Sequence, residues 1–162
     1  MRRFMVPKRV ERSEVRYQEE KHLGMLDLPL VQTGTLSYIA PDRFSRSMDG
    51  PAASRFTVHG DQVTLEKMTG KEIHDLNNLP MIKAFIASFG ATLAGDLATL
   101  QQYYEISFDG AQNDWRLDLQ PRSTRLASYV TRIQLWGSYD RIKGMEIRET
   151  NGDWSQMIML HE

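Results

Sequence analysis

The sequence contains no cysteine, which excludes a disulfide framework and catalysis by a thiol. It also has no excess of either charge, because 20 lysine and arginine residues stand against 21 acidic residues. A formal net charge of −1 creates no field that attracts nucleic acid or an anionic membrane. No apolar run approaches the roughly 18 residues that a membrane-spanning helix needs. These absences predict a domain that neither binds nucleic acid nor spans a bilayer, and they leave the cytosol and the cell envelope both open.

The chain is long enough for one hydrophobic core and shows no sign of a second. Its 162 residues contain no internal repeat, low-complexity tract or linker. We therefore predict a single domain over residues 1–162 and expect a monomer. The first residues are basic, but the apolar run of about 7–15 residues that a signal peptide needs does not follow them. The protein is then either cytosolic or the mature form of an exported protein.

Sequence signatures of catalysis are missing as well. There is no G-x-S-x-G nucleophile motif and no G-x-G-x-x-G after a predicted strand, and the histidines lack the spacing of metal ligands. The four histidines are His22, His59, His74 and His161. The neighbouring carboxylates Glu19 and Glu20, like those at positions 42 and 49, are interpreted as solvated charges. We predict that the protein is not an enzyme and uses neither a cofactor nor a metal ion.

Apolar and polar residues alternate over short stretches on both sides of the middle of the chain, which predicts β-strands with one wet face. Before the middle, the predicted strands cover residues 15–20, 33–40, 44–48, 55–59 and 62–66, and a further strand contains Ile73. After it, they cover residues 104–108, 115–119, 132–136, 144–149 and 155–160. Gly60-Asp61 predicts a tight hairpin turn, and Asp109-Gly110 predicts the start of another loop. About ten short strands at this spacing are typical of an antiparallel sandwich or barrel.

The period changes between residues 79 and 95, where large apolar residues recur at helical spacing. These residues are Ile82, Phe85, Ile86, Phe89 and Leu93. Pro80 suits the first turn of a helix, and Lys83 is the only charge between positions 81 and 94. The opposite side carries alanine and serine, so the pattern fits either a fully buried core helix or a lid over an apolar cavity. Shorter helices are predicted over 97–102, capped by Asp96, and near 123–128.

The order of the motifs resembles that of the LolA-like outer-membrane lipoprotein carriers. The similar segments before the helix are Pro29-Leu30, Thr33-Gly-Thr-Leu-Ser-Tyr38, Ala40-Pro-Asp-Arg-Phe44 and Val58-His-Gly-Asp-Gln-Val-Thr-Leu65. After the helix they are Ala94-Gly-Asp-Leu97, Trp115-Arg-Leu-Asp-Leu-Gln-Pro121 and Ile147-Arg-Glu-Thr-Asn-Gly-Asp153. The resemblance covers nearly the whole chain, although each motif is short.

This resemblance implies an α+β fold that is mainly antiparallel β: an unclosed, curved half-barrel sheet with a helical lid over an apolar cavity. In that family the cavity holds acyl chains of lipoproteins. By position, the expected cavity lining from the sheet comprises Leu36, Tyr38, Phe44, Phe56, Val58, Val63, Leu65, Leu117, Leu119, Ile133, Leu135 and Ile147. The expected roof comprises Ile82, Phe85, Ile86, Phe89 and Leu93. For any one of these residues, a plain core position is an equally good interpretation.

Two features depart from the family pattern. The family has an arginine before the proline that breaks a strand, where it helps to hold the lid closed, and here that residue is Ala40. Arg43 and Arg46 are the alternative candidates for such a latch. The chain also ends at Glu162 without the C-terminal extension of those carriers, which makes acyl-chain binding a firmer expectation than handover to a receptor.

The leading hypothesis is a non-enzymatic periplasmic carrier of lipoprotein acyl chains or related lipids, with its signal peptide absent from this sequence. Its partners are then the lipids, an inner-membrane donor complex and an outer-membrane acceptor. Burial of a CH₂ group contributes roughly 0.8 kcal/mol, so a long acyl chain gains on the order of 10 kcal/mol before ordering costs. Two alternatives are a lipid-sensing envelope module that binds a partner protein and a structural domain with a solid core.

Overall fold

The computed structural model describes residues 12–39, 43–50 and 53–160, which form one antiparallel sheet and a set of short helices. The strands before the helical segment are β1 (Arg12–His22), β2 (Leu30–Ile39), β3 (Arg43–Met48), β4 (Ser54–His59), β5 (Gln62–Lys67) and β6 (Gly70–Asp75). The strands after it are β7 (Tyr104–Ala111), β8 (Asp114–Pro121), β9 (Val130–Ser138), β10 (Arg141–Glu149) and β11 (Trp154–Leu160). Each strand predicted from alternation lies within or overlaps one of these.

Within the described residues the sheet has 11 strands, in the order β6-β5-β4-β3-β2-β1-β11-β10-β9-β8-β7. The first and last strands of the chain pair at its centre, so β6 and β7, which are consecutive in sequence, lie at opposite edges. Among the described residues no ladder joins these two edges, and the sheet is neither a sandwich nor a closed barrel. The segment 76–103 connects the edges and packs on the inner face. The unclosed half-barrel with a helical roof that the family resemblance implies is therefore confirmed.

One face of the sheet is apolar and meets this helical segment. Burial alternates along parts of the central strands, as Tyr17 and Glu19 on β1 and Met157 and Met159 on β11 show. Leu135 stands opposite Leu117 on one side and Met145 on the other, so the buried face continues from strand to strand. The opposite face carries charged side chains. The alternation of apolar and polar residues therefore decides which side chains of each strand face the roof.

The roof helix is one continuous helical stretch, residues 80–93. It consists of α1 (Pro80–Phe85), a π-helical turn (Ile86–Gly90) and α2 (Ala91–Leu93). It ends in a Schellman motif, in which Gly95 has φ +65° and the amide of Asp96 donates to the carbonyl of Ala91 at 2.9 Å. Two short helices follow, α3 (Leu97–Tyr103) and α4 (Thr124–Ala127). The helix predicted over 79–95 is thus confirmed, with its apolar stripe toward the sheet.

Two details of the sequence interpretation are wrong. Asp109-Gly110 does not begin a loop, because residues 109–111 pair with residues 114–116 and the turn lies at 112–113. Gly110 has φ +94°, a left-handed conformation that glycine adopts readily, and it stays paired with Trp115. Glu19 is not a solvated charge: it is 4% exposed, because alternation places it on the inner face beside Tyr17. Ala40, Asp42 and His161, which entered the sequence analysis, lie outside the described residues.

A close approach between three strands depends on Gly34 of β2. A Cβ atom at this position would lie 1.9 Å from the carbonyl oxygen of Ser47 and 2.5 Å from the Tyr17 hydroxyl. The Tyr17 hydroxyl donates to that same carbonyl at 2.8 Å. Gly34 therefore leaves the space through which Tyr17 reaches from β1 to β3.

We expect Gly34→Ala to lower the free energy of unfolding by about 1–3 kcal/mol, because the added methyl group has no free volume. Urea denaturation followed by tryptophan fluorescence measures this loss. Gly24→Ala is the matched control, since its Cβ atom would meet nothing nearer than Asp153 at 3.7 Å. Equal losses in the two variants would contradict the explanation by close approach.

Candidate hydrophobic ligand site

The mouth cavity, as we name it, opens between the inner face of the sheet and the first half of the roof helix. Its volume is about 460 Å³, inside the range of roughly 300–1,000 Å³ that ligand pockets occupy. Its apolar lining comprises Leu23, Leu30, Phe56, Met81, Ile82, Phe85, Ile147 and Trp154. Its polar lining comprises Glu19, Lys21, Gln32, Arg46, Glu149, Asp153 and Ser155. A lining of eight apolar and seven polar residues suits a ligand that has both an apolar chain and a polar end.

Two smaller cavities lie elsewhere along the roof helix. The side cavity, about 230 Å³, lies between the alanine-rich side of the roof helix, the β4–β5 turn and α3. Phe44 and Val58 contribute to it from the sheet. The end cavity, about 240 Å³, lies where Phe89 and Leu93 approach the start of β1 and the β9–β10 turn. Both volumes fall below the usual range of a ligand pocket.

The residues predicted to line a cavity divide into two groups. Those that border one of the three cavities are Tyr38, Phe44, Phe56, Val58, Ile82, Phe85, Ile86, Phe89, Leu93 and Ile147. Those placed in or against the hydrophobic core, away from these three cavities, are Leu36, Val63, Leu65, Leu117, Leu119, Ile133 and Leu135. The space under the roof is therefore hollow around the mouth cavity and solid along β8 and β9, where the leucines and Ile133 are fully buried.

Phenylalanine rings join the roof helix to the sheet at the boundary of the mouth cavity. Phe85 stacks on Phe89 with ring centroids 5.3 Å apart. Both rings meet Phe44 of β3 edge-on, at 5.4 Å and 5.8 Å. Phe56 lies 6.5 Å from Phe44 and faces the mouth cavity. Phe85 therefore belongs both to the cavity wall and to the packed cluster behind it.

A buried ion pair lines the same cavity. Arg46 Nη2 donates to Glu19 Oε1 at 2.7 Å, and Arg46 Nε donates to the Tyr17 hydroxyl at 3.2 Å. The central carbon of the guanidinium lies 5.6 Å from the centroid of the Phe85 ring. Burial by itself lowers the pKa of Arg46, but the charge of Glu19 and the contact with Tyr17 outweigh burial and raise the pKa above its usual value. Arg46 therefore stays charged, and Glu19 neutralises it inside the protein.

The two arginines considered as a lid latch lie on opposite faces of β3. Arg46 shares the inner face with Phe44, because residues two positions apart on a strand point the same way. Arg43 is exposed on the outer face. The roof contact of Arg46 is made through the ring of Phe85. A latch at this site therefore rests on Arg46 and its partner Glu19.

The rim of the mouth cavity carries charges of both signs. Burial raises the pKa of Glu149, the charge of Asp153 raises it further, and Lys21 acts in the opposite direction. Lys21 also approaches Glu19 to 3.9 Å. Asp153 accepts a hydrogen bond from the amide of Gly24 at 2.9 Å, which ties the β1–β2 connection to the β10–β11 connection. Among the described residues, the cavity lining carries two cationic and three acidic side chains, so these create no net positive field that attracts a free carboxylate or phosphate.

The polar groups of the roof helix are satisfied within the protein. Ser88 Oγ donates to the carbonyl of Ala84 at 2.7 Å, and Thr92 Oγ1 donates to the carbonyl of Ser88 at 2.7 Å. The Tyr104 hydroxyl donates to the carbonyl of Ala84 at 3.0 Å, and burial raises the pKa of Tyr104 well above its usual range. No buried side-chain nitrogen or oxygen of the described residues lacks a partner. The underside of the roof is accordingly an apolar surface.

Sequence reasoning missed several residues of the mouth cavity. Glu19 shows a usable signal, since it follows Tyr17 at the period of two that marks an inner face. Leu23 shows none, because it lies beyond the predicted strand and only the tertiary structure brings it to the opening. Met81 lies inside the predicted helix, but it is outside the apolar stripe that the helical spacing marks.

The sheet is an open antiparallel half-barrel, and the connection between its edge strands covers its inner face and leaves a cavity at one end. This architecture defines the class of half-barrel proteins with a helical lid. The family model described as "Outer membrane lipoprotein carrier protein LolA-like" matches residues 6–161. The chain belongs to this family. No curated protein matches the sequence at a significant level.

Solved structures that resemble this chain are distant in sequence. A DUF1329 family protein from Desulfovibrio piger is 11% identical, with a TM-score of 0.50 over 93% of this chain and 84% of that chain. A LolA superfamily protein from Nitrosomonas europaea is 9% identical, with a TM-score of 0.44 over 91% and 83%. A chain from the complex of the CwlD amidase with the GerS lipoprotein of Clostridioides difficile is 12% identical, with a TM-score of 0.46 over 88% and 79%. At these sequence identities, the likeness to the Desulfovibrio piger protein, which has the TM-score of 0.50, supports the fold and nothing further.

Proposed function

We propose that this protein is a non-enzymatic carrier of the bacterial periplasm that binds acyl chains of lipoproteins or related lipids and releases them to an acceptor. The observation that carries the proposal is the mouth cavity, a space of about 460 Å³ with a partly apolar lining under a helical lid in a chain of the LolA-like family. Binding needs no covalent step, because each buried CH₂ group contributes roughly 0.8 kcal/mol. Carriage of this kind requires an inner-membrane donor and an outer-membrane acceptor as partners.

In this proposal the acyl chain enters between the roof helix and the sheet. Met81 and Ile82 form the roof side of the entrance, and Phe56 and Ile147 form the sheet side. Deeper entry displaces Phe85 from its cluster, since the space behind this ring is packed. The Arg46–Glu19 pair lies beside Phe85 and is internally neutral, so the cavity favours an ester- or amide-linked chain over a free fatty-acid anion.

We expect Ile82→Gln to weaken binding of a pyrene-labelled fatty acid methyl ester by about tenfold, because an amide replaces an apolar group of the wall. Fluorescence titration measures the affinity, and mass spectrometry of the protein purified from a cell envelope detects a natural lipid. The matched control is Ile73→Gln, since Ile73 is 64% exposed on the edge strand β6. Absence of ester binding by the folded wild-type protein would refute the carrier proposal.

One observation favours a second function, a structural domain with a solid core. Leu117, Leu119 and Leu135 are 0% exposed, so the half of the inner face that they occupy is filled without a ligand. In that case the protein purified from the envelope contains no lipid and Ile82→Gln changes no affinity.

A further inference from the structure

Exposed apolar side chains are concentrated in the connection between β1 and β2. We name residues 23–31, which comprise this connection and the first two residues of β2, the rim loop. Its large exposed apolar residues and their exposed fractions are Met25 88%, Leu28 77%, Val31 56%, Leu26 43% and Leu30 43%. Met25, Leu26 and Leu28 lie within four consecutive residues, and apolar residues exposed this close together indicate an interaction surface, whereas single exposed ones are common.

The rim loop adjoins the mouth cavity and is held at its base. Leu23 and Leu30 line the cavity from the two ends of the loop. The amide of Gly24 donates to Asp153 at 2.9 Å, and the amide of Leu26 donates to the carbonyl of Leu23 at 3.0 Å, which closes a turn. These contacts fix the base of the loop and leave the side chains at its tip in solvent. The loop therefore carries apolar residues both at its exposed tip and at the two ends that line the cavity.

The charge and the size of this surface favour a lipid bilayer over a protein or an anionic molecule as its partner. Asp27 is the only ionisable residue among residues 23–31, so the loop offers no cation to an anionic partner. A stable protein–protein interface buries about 800 Å² on each partner, which needs far more than the tip of one narrow loop. A lipid bilayer needs no matching surface, since apolar side chains enter between its headgroups.

We propose that the rim loop docks this protein reversibly on a zwitterionic lipid bilayer by inserting Met25, Leu26 and Leu28. Docking in this way places the opening of the mouth cavity against the lipid surface. An acyl chain then passes between bilayer and cavity without crossing water, and this last step rests on the proposed function, whereas docking itself does not.

The first test is sedimentation of the full chain with phosphatidylcholine vesicles. The wild-type protein is expected to sediment with them, and the double variant Met25→Asp/Leu28→Asp is expected to lose at least about tenfold in its partition coefficient. The matched control is Met68→Asp/Ile73→Asp, since Met68 and Ile73 are 85% and 64% exposed at the far edge of the sheet. Addition of phosphatidylglycerol or salt is expected to leave the partition coefficient unchanged, because insertion is apolar.

The second test locates the inserting residue. The sequence has no cysteine, so Leu26→Cys carries a single environment-sensitive fluorophore, and Met68→Cys is its control. Phosphatidylcholine vesicles are expected to shift the emission of the label at position 26 to shorter wavelength and leave the label at position 68 unchanged. No sedimentation of the folded wild type, equal losses in the two double variants, binding only to anionic vesicles, or no shift at position 26 each overturns the proposal.

Ester binding measured without vesicles separates this inference from the proposed function. The rim-loop double variant is expected to bind the pyrene-labelled methyl ester like the wild type, because its substitutions lie at the tip. Vesicle docking without ester binding would remove the carrier function and leave the docking surface in place. Ester binding without vesicle docking would overturn the docking surface and leave the carrier function in place.

Discussion

Arg46→Met is expected to lower the free energy of unfolding at neutral pH by about 3–5 kcal/mol, because it leaves the buried carboxylate of Glu19 without its main partner. Glu19 is 4% exposed, so its carboxylate has lost most of its contact with water in the folded protein. Lys21 lies 3.9 Å from the same carboxylate oxygen, which is beyond hydrogen-bond distance, so it replaces Arg46 only in part. Urea denaturation followed by circular dichroism measures the change.

The control for this prediction is a second arginine in an ion pair. Arg132 pairs with Asp118 on the outer face, where both side chains are partly exposed, and Arg132→Met is expected to cost no more than about 1 kcal/mol. The double variant Glu19→Gln/Arg46→Met is expected to recover most of the loss, because no buried charge remains. Equal losses for Arg46→Met and Arg132→Met would contradict a buried, energetically coupled pair.

Phe89→Ala is expected to lower the free energy of unfolding by about 3–5 kcal/mol and to leave ester affinity nearly unchanged. Phe89 is 2% exposed and packs against Phe85 and Phe44, away from the mouth cavity. Ile82→Ala at the hollow end is expected to cost less, because Ile82 is only partly buried. Thermal denaturation and fluorescence titration of the two variants provide the comparison. A loss of ester binding with unchanged stability in Phe89→Ala would show instead that the whole roof helix is a loosely held lid.

The contrast between these two variants follows the structure of the roof helix itself. The π-helical turn, Ile86–Gly90, separates α1, which contributes to the mouth cavity, from α2, which is buried in the core. Single π-turns inside α-helices are frequent at functional sites. We therefore expect opening to involve α1, while α2 and the Schellman motif at Gly95 stay in place.

Local patterns in the sequence determined much of this fold. Alternation of apolar residues identified the strands and their inner faces, and spacings of three and four identified the roof helix together with its proline start and glycine end. Such patterns are readable because the period of burial is a property of each element alone. Asp109-Gly110 is the exception: its turn chemistry was outweighed by pairing with residues 114–116.

Only the tertiary structure decided where the hollow lies and what surrounds it. Leu119 and Ile147 are indistinguishable as inward apolar residues of alternating strands, yet one is in solid core and the other lines the mouth cavity. The Arg46–Glu19 pair joins residues 27 positions apart, and the Gly24–Asp153 contact that holds the rim loop joins residues 129 positions apart. The sequence by itself therefore determined the elements and the faces that they bury. The site depends on which of those faces meet across the sheet. The spacing of apolar residues within one element does not contain that information.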